Sequence, residues 1–147
     1  MNKLLATLLV VSLGISSSFA DAKVFKEKFK AQVEEAKAKV TMISVEEAFK
    51  MMEENKDLIV IDVRTKEEVA DWGYPKWDKY KNISRGRLEP DLGKSDLVVD
   101  DTIMVFCKTG SRAALAGVTL QEYGFKNVVV VDGGMESWIE KNYPSVD

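Results

Sequence analysis

Two kinds of apolar periodicity alternate along this chain, and their order predicts its architecture. Residues 58–63, 102–106 and 128–131 are nearly unbroken apolar, β-branched runs bounded by polar turns, the pattern of strands covered on both faces. Residues 40–43 form a shorter strand of the same kind. Helical patterns lie between them. Ser44, with Glu47 three residues on, is a capping box that opens a helix through about Glu54. Thr65 caps a short helix from Lys66 to about Ala70. Residues 112–123 place Ala113, Leu115, Ala116, Val118 and Leu120 at helical spacing, with Gly124 as the stop. A last helix runs from about Met135 to Lys141, after Gly133-Gly134. Strands separated by helices predict an α/β domain with a mostly parallel sheet and right-handed crossovers. In such sheets ligands gather at the carboxyl ends of the strands, where Asp62, Cys107 and Asp132 all fall.

Three stretches depart from this rhythm. Residues 71–97 read as a long irregular connection, because Gly73, Pro75, Gly86, Pro90 and Gly93 interrupt any period. It carries Trp72, Tyr74, Trp77 and Tyr80, which either border a site or cover the sheet. Residues 21–39 are rich in Lys, Glu and Ala, and Phe25, Phe29, Val33 and Ala36 make one narrow helical stripe. This helix is expected to cap the domain or link it to the N-terminus from outside the core unit; a docking or dimerisation helix is the other reading. Residues 1–20 have the form of a signal peptide: a basic start at Lys3, an apolar run over residues 4–15 too short for a bilayer span, and Ser18-Phe19-Ala20 before a cut after Ala20. The expected organisation is a signal peptide over 1–20, a helical extension over 21–39 and one α/β domain over 40–147, in a periplasmic or secreted protein with no membrane attachment after cleavage.

Composition narrows the chemistry. Removing Lys3 from 21 basic residues leaves 20 against 24 acidic ones, a net charge of −4, so no basic excess exists to meet nucleic-acid phosphates. The chain has no histidine and one cysteine. Histidine-based acid–base catalysis, Cys–His dyads and internal disulfides are therefore out of reach, and neither a metal nor a cofactor is expected. By count alone, Cys107 fits an inert buried thiol as well as a reactive one.

Its surroundings favour reactivity. Cys107 ends an apolar strand and is followed by Lys108-Thr109-Gly110-Ser111-Arg112 and a helix. Unpaired amides and the positive end of the dipole at a helix start stabilise a thiolate. A free cysteine, with a pKa of about 8.5, is only about 3% thiolate at pH 7, so thiolate chemistry here calls for electrostatic help. Lys108 and Arg112 flank the loop for that purpose. Gly110 allows a positive φ that brings successive N–H groups together as an anion nest, and Thr109 and Ser111 add hydroxyls, Ser111 also being placed to cap the helix.

Three separated segments resemble a known family. Residues 58–64 end in Asp62-Val63-Arg64 with Glu68 shortly after; Cys107 to Arg112 is a six-residue loop; and Asp132-Gly133-Gly134-Met135 with Trp138 is a Gly-Gly-x-x-x-Trp motif. In this order and spacing they are similar to the single-domain rhodaneses, the sulfurtransferase family. The resemblance implies a three-layer domain with a mostly parallel central sheet flanked by helices. It further implies a ping-pong reaction in which Cys107 takes sulfane sulfur from a small anion such as thiosulfate and passes it to cyanide or a thiol. Cys107 is then the nucleophile, the amides of Lys108 to Arg112 cradle the persulfide, and Lys108 and Arg112 attract the donor. Asp62, Arg64 and Glu68 take supporting roles, Arg64 pairing with Glu68 and Asp62 holding the loop from behind. Tyr74 stands where the family has histidine, and the residues after it are an aromatic, lysine-rich insertion.

Four residues separate Cys107 from Arg112, one fewer than in the related dual-specificity phosphatases and arsenate reductases. The smaller loop suits one sulfur atom better than a tetrahedral phosphate. The competing reading is a rhodanese-like sulfur carrier or binding module that acts with a specific protein partner.

Overall fold

The computed structural model describes residues 7–147, with side chains from residue 18 onward. Residues 1–3 and the side chains of residues 4–15, on which the signal-peptide reading rests, lie outside the described residues. Among the described residues no helix is long and apolar enough to cross a membrane.

Helix α1 (Thr7–Lys39) leads into strand β1 (Thr41–Ile43) and helix α2 (Val45–Glu54), whose Ser44–Glu47 capping box forms in both directions. Strand β2 (Ile59–Asp62), helix α3 (Lys66–Trp72) and two short strands, β3 (Tyr74–Pro75) and β4 (Tyr80–Asn82), follow. A 3₁₀ turn at Arg85–Arg87 precedes helix α4 (Leu88–Leu92). The chain ends with β5 (Thr102–Phe106), α5 (Ser111–Glu122), β6 (Asn127–Val131), α6 (Gly134–Glu140) and β7 (Ser145–Val146).

The central sheet has the order β1-β6-β5-β2-β4, and every pairing in it is parallel. The period of two sorts its side chains into two cores. Ile61, Ile103, Val105, Val128 and Val130 face one way, toward Ala36 of α1, Leu88 of α4 and Ala113, Ala116 and Leu120 of α5. Val60, Met104, Phe106 and Val131 face the other, toward Ala48 and Met52 of α2 and Met135 and Trp138 of α6. This is the expected three-layer α/β arrangement. Gly124 ends α5 at φ +94, with Phe125 N–H on the Leu120 carbonyl and Gly124 N–H on that of Gln121, a Schellman motif.

The stretch 71–97 is more regular than its punctuation predicts. It supplies the edge strand β4, with Val60 opposite Tyr80 and Asp62 opposite Asn82, and strand β3, which pairs antiparallel with β7. These strands are two and three residues long, too short for a period to register. Residues 21–39 are likewise not wholly outside the core. Val33 and Ala36 are buried, Ala36 within the core on the α5 side, whereas Phe25 and Phe29 on the same stripe are exposed.

Candidate active site

The site lies at the carboxyl ends of β2, β5 and β6, which parallel pairing brings to one edge of the sheet. Cys107 follows the last residue of β5 and is 1% exposed. Its Sγ accepts the Gly110 N–H at 3.0 Å. Gly110 sits at φ +98, where a Cβ would come 3.1 Å from the Val131 carbonyl oxygen, so both conformation and space select glycine there. Gly110 is also the N-cap of α5, and no side chain caps this helix; Ser111 is its first residue rather than its cap. Among the described residues, the N–H groups of Lys108, Thr109, Ser111 and Arg112 have no protein acceptor, so they remain open to an anion beside the sulfur.

The loop is fixed from behind by α6. Met135 N–H donates to the Cys107 carbonyl (2.9 Å) and Glu136 N–H to the Lys108 carbonyl (3.0 Å). This approach needs Gly134: at φ +55, a Cβ there would collide with the Cys107 carbonyl oxygen and lie 2.7 Å from that of Lys108. The Gly-Gly-x-x-x-Trp motif thus belongs to the active loop through its backbone. Asp132, at the same sheet edge, is exposed and meets Lys37 of α1 at 3.3 Å.

The supporting charges pair differently from expectation. Glu68 forms a bidentate pair with Arg112, both contacts at 2.7 Å, and not with Arg64. The Arg112 guanidinium holds the Glu68 carboxyl down at about 2, against the opposing effect of burial and with help from the Thr65 amide. Glu68 is at once the N3 residue of α3's capping box, accepting Thr65 N–H at 3.0 Å. One carboxylate therefore ties the start of α3 to the active-loop arginine. The sequence marks Thr65 as a helix cap, but nothing in it pairs Glu68 with a residue 44 positions away.

Arg64 instead binds Asp62, with Nη2 to Oδ2 at 2.6 Å and Nε to Oδ1 at 3.0 Å, and both side chains are buried. Its Nη2 also donates to the Gly73 carbonyl, and the Tyr80 hydroxyl donates to Asp62 Oδ2 at 2.9 Å. Burial, then the Asp62 charge, raise the Tyr80 phenol far above its ordinary range, so it stays a donor. Asn82 donates to the carbonyls of Asp62 and Arg64. Asp62, at the end of β2, is thus one half of a satisfied buried ion pair. Tyr74, which stands at the family's histidine position, stacks on Tyr80 with ring centroids 4.4 Å apart.

Of the four aromatics of residues 71–97 that either border a site or cover the sheet, Trp72 reaches the active loop. It is exposed at the end of α3, and the Lys108 ammonium lies 4.4 Å from its ring centroid. Cys107, Lys108, Thr109, Gly110, Ser111, Arg112 and Glu68 are therefore brought together, while Asp62 and Arg64 pair with each other and not with the loop side chains.

The rhodanese-like domain family matches this chain over residues 44–141. The polysulfide-sulfur transferase homodimer of Wolinella succinogenes is 50% identical, with a TM-score of 0.74 over 84% of this chain and 90% of that one. A rhodanese-related protein of Thermoplasma volcanium is 31% identical, with a TM-score of 0.62 over 72% of this chain and 97% of that one. A probable adenylyltransferase/sulfurtransferase of Mycobacterium tuberculosis, MoeZ, is 28% identical over 74% of this chain; the chain spans 27% of that protein's length. With the family's loop, its Asp-Val-Arg strand end and its Gly-Gly motif assembled around one cysteine, the chain belongs to the rhodanese-like sulfurtransferase family.

Proposed function

We propose that the protein is an exported sulfurtransferase that loads sulfane sulfur from a small anionic donor onto Cys107 and passes it to a thiophilic acceptor. The observation that carries this reading is the Gly110 N–H on Cys107 Sγ at 3.0 Å, within a loop whose other amides are open. The Cys107 thiolate attacks the outer sulfur of thiosulfate, the S–S bond breaks, and sulfite leaves with the electron pair. A negatively charged persulfide remains, which the loop amides hold as they would an oxyanion. Cyanide or a thiolate then attacks the outer sulfur, and Cys107 leaves as the thiolate. Polysulfide is an equally suitable donor, since the Wolinella neighbour is named for it. Export rests on the pattern of residues 1–20.

The test is direct. The protein incubated with thiosulfate or polysulfide is expected to gain the mass of one sulfur on Cys107, and cyanide to release it as thiocyanate, with Cys107→Ser doing neither. No adduct with either donor refutes the reading. An adduct that only a protein thiol discharges identifies a carrier.

A second copy is the proposed partner of α1. Phe25 and Phe29 are 66% and 47% exposed, and they continue the stripe that Val33 and Ala36 bury against this chain's own core. The homodimeric state of the Wolinella neighbour supports that occupant. Phe25→Asp with Phe29→Asp is expected to turn a dimer into a monomer in sedimentation; an unchanged mass excludes this surface.

A further inference from the structure

The two cations of the active loop are treated differently by the fold. Arg112 is engaged by a carboxylate, Glu68, in a bidentate pair that offsets its charge. Lys108 has no carboxylate within ion-pair distance among the described residues, and its partner is the face of Trp72. An indole face attracts an ammonium through its quadrupole without neutralising it. The net positive charge of the loop is therefore carried by Lys108, and an aromatic partner restricts its position while leaving its field intact.

Both partners come from one helix face. Glu68 and Trp72 are four residues apart on α3, hence neighbours on its surface, one reaching Arg112 and the other Lys108. The helix that presents them is held at both ends. The Thr65–Glu68 capping box fixes its start, and at its finish Gly73, at φ +69, gives its carbonyl to the buried Arg64 at 2.7 Å. Trp72 is thus an exposed, large apolar side chain on an anchored backbone, at a place where nothing in the core requires it. Cys107 itself is 1% exposed, so a reagent reaches the sulfur only by passing the loop's rim.

We propose that Trp72 is a positioning residue that holds the Lys108 ammonium on the α3 side of the active loop, and that this pair selects anionic over neutral sulfur donors. The inference rests on the sulfur-transfer reading only for the identity of the donor; the charge selectivity belongs to the site whatever its cargo. Trp72 acts through Lys108 and takes no part in bond making. An exposed cation–π contact corresponds to about a two- to fivefold effect on capture.

The experiment compares alkylation of Cys107 by iodoacetate, an anion, and iodoacetamide, its neutral counterpart. The ratio of the two rates cancels changes in thiolate fraction and in general access, which a merely structural role would alter. Trp72→Ala is expected to lower the iodoacetate to iodoacetamide ratio about two- to fivefold, and Trp72→Phe to restore part of it. Lys108→Met is expected to lower the ratio at least as far. Adding Trp72→Ala to Lys108→Met is expected to change nothing more. In steady-state transfer from thiosulfate, KM should rise in the same order while kcat moves less. An unchanged ratio in Trp72→Ala, or an equal drop in the Lys108→Met background, overturns the inference. Failure of the sulfur-transfer reading shows separately, as wild-type protein that takes no sulfur from thiosulfate while the alkylation ratio still decides the role of Trp72.

Discussion

Replacing Gly134 with alanine tests whether the active loop is built jointly by its own residues and by α6. The backbone at Gly134 has φ +55, a left-handed conformation that costs a residue with a Cβ about 1–2 kcal/mol. The added methyl also has no room, because it would meet the carbonyls of Cys107 and Lys108. Moving it away separates α6 from the loop and breaks the Met135-to-Cys107 and Glu136-to-Lys108 hydrogen bonds, each worth about 0.5–1.5 kcal/mol. Together these give a destabilisation of about 2–5 kcal/mol. Urea unfolding monitored by circular dichroism measures it, with Gly86→Ala as the control, since a Cβ at Gly86 meets nothing within 4 Å. Gly86→Ala is expected to stay within about 0.5 kcal/mol of wild type. Sulfur loading of Cys107 should fall with the stability of Gly134→Ala, because the carbonyls that α6 holds belong to the loop. A Gly134→Ala variant as stable as wild type and as fast in loading refutes the reasoning.

Other substitutions probe the charges. Arg64→Met leaves Asp62 buried without its cation and should destabilise by about 3–5 kcal/mol in the same assay, whereas Tyr80→Phe, which removes one hydrogen bond to a charged group, should cost about 1.5–3 kcal/mol. Glu68, held at about 2 in the folded chain, stabilises it fully above the ordinary carboxylate range, and that contribution disappears as pH falls through about 4 toward 2. The pair is about a third exposed, so solvent reduces the effect to about 1–2 kcal/mol. Glu68→Gln should lose this amount at pH 7 and flatten the acid limb of stability, read by urea titrations at several pH values.

Much of this fold was legible in the sequence where the pattern was long or its chemistry local. The apolar runs of β2, β5 and β6, the Ser44–Glu47 box and the Thr65 cap declare themselves within a few residues. The Gly-Gly motif did so as well, although its reason became visible only with the loop carbonyls beside it. What escaped reading was non-local or short. Strand β4 has three residues and is defined by its pairing with β2, which no local pattern encodes. Arg64 had two acidic candidates in sequence reach, Asp62 and Glu68. Its choice of Asp62 goes with burial, because both side chains of that pair are buried, whereas Glu68 and Arg112 are each about a third exposed. The end of α1 joined the core because Ala36 is small enough to let the helix pack against α5, a fit that the exposed phenylalanines on the same stripe concealed.

The grip of α6 on the active loop has a directional consequence. In a trans peptide the carbonyl and the following N–H point in opposite directions. By drawing the carbonyls of Cys107 and Lys108 toward its own amides, α6 turns the N–H groups of Lys108 and Thr109 the other way. The sign of the potential inside the loop is thus decided by a helix start some 27 positions downstream of the cysteine: were those two peptide planes free to flip, the same residues would offer the persulfide oxygen lone pairs in place of hydrogens.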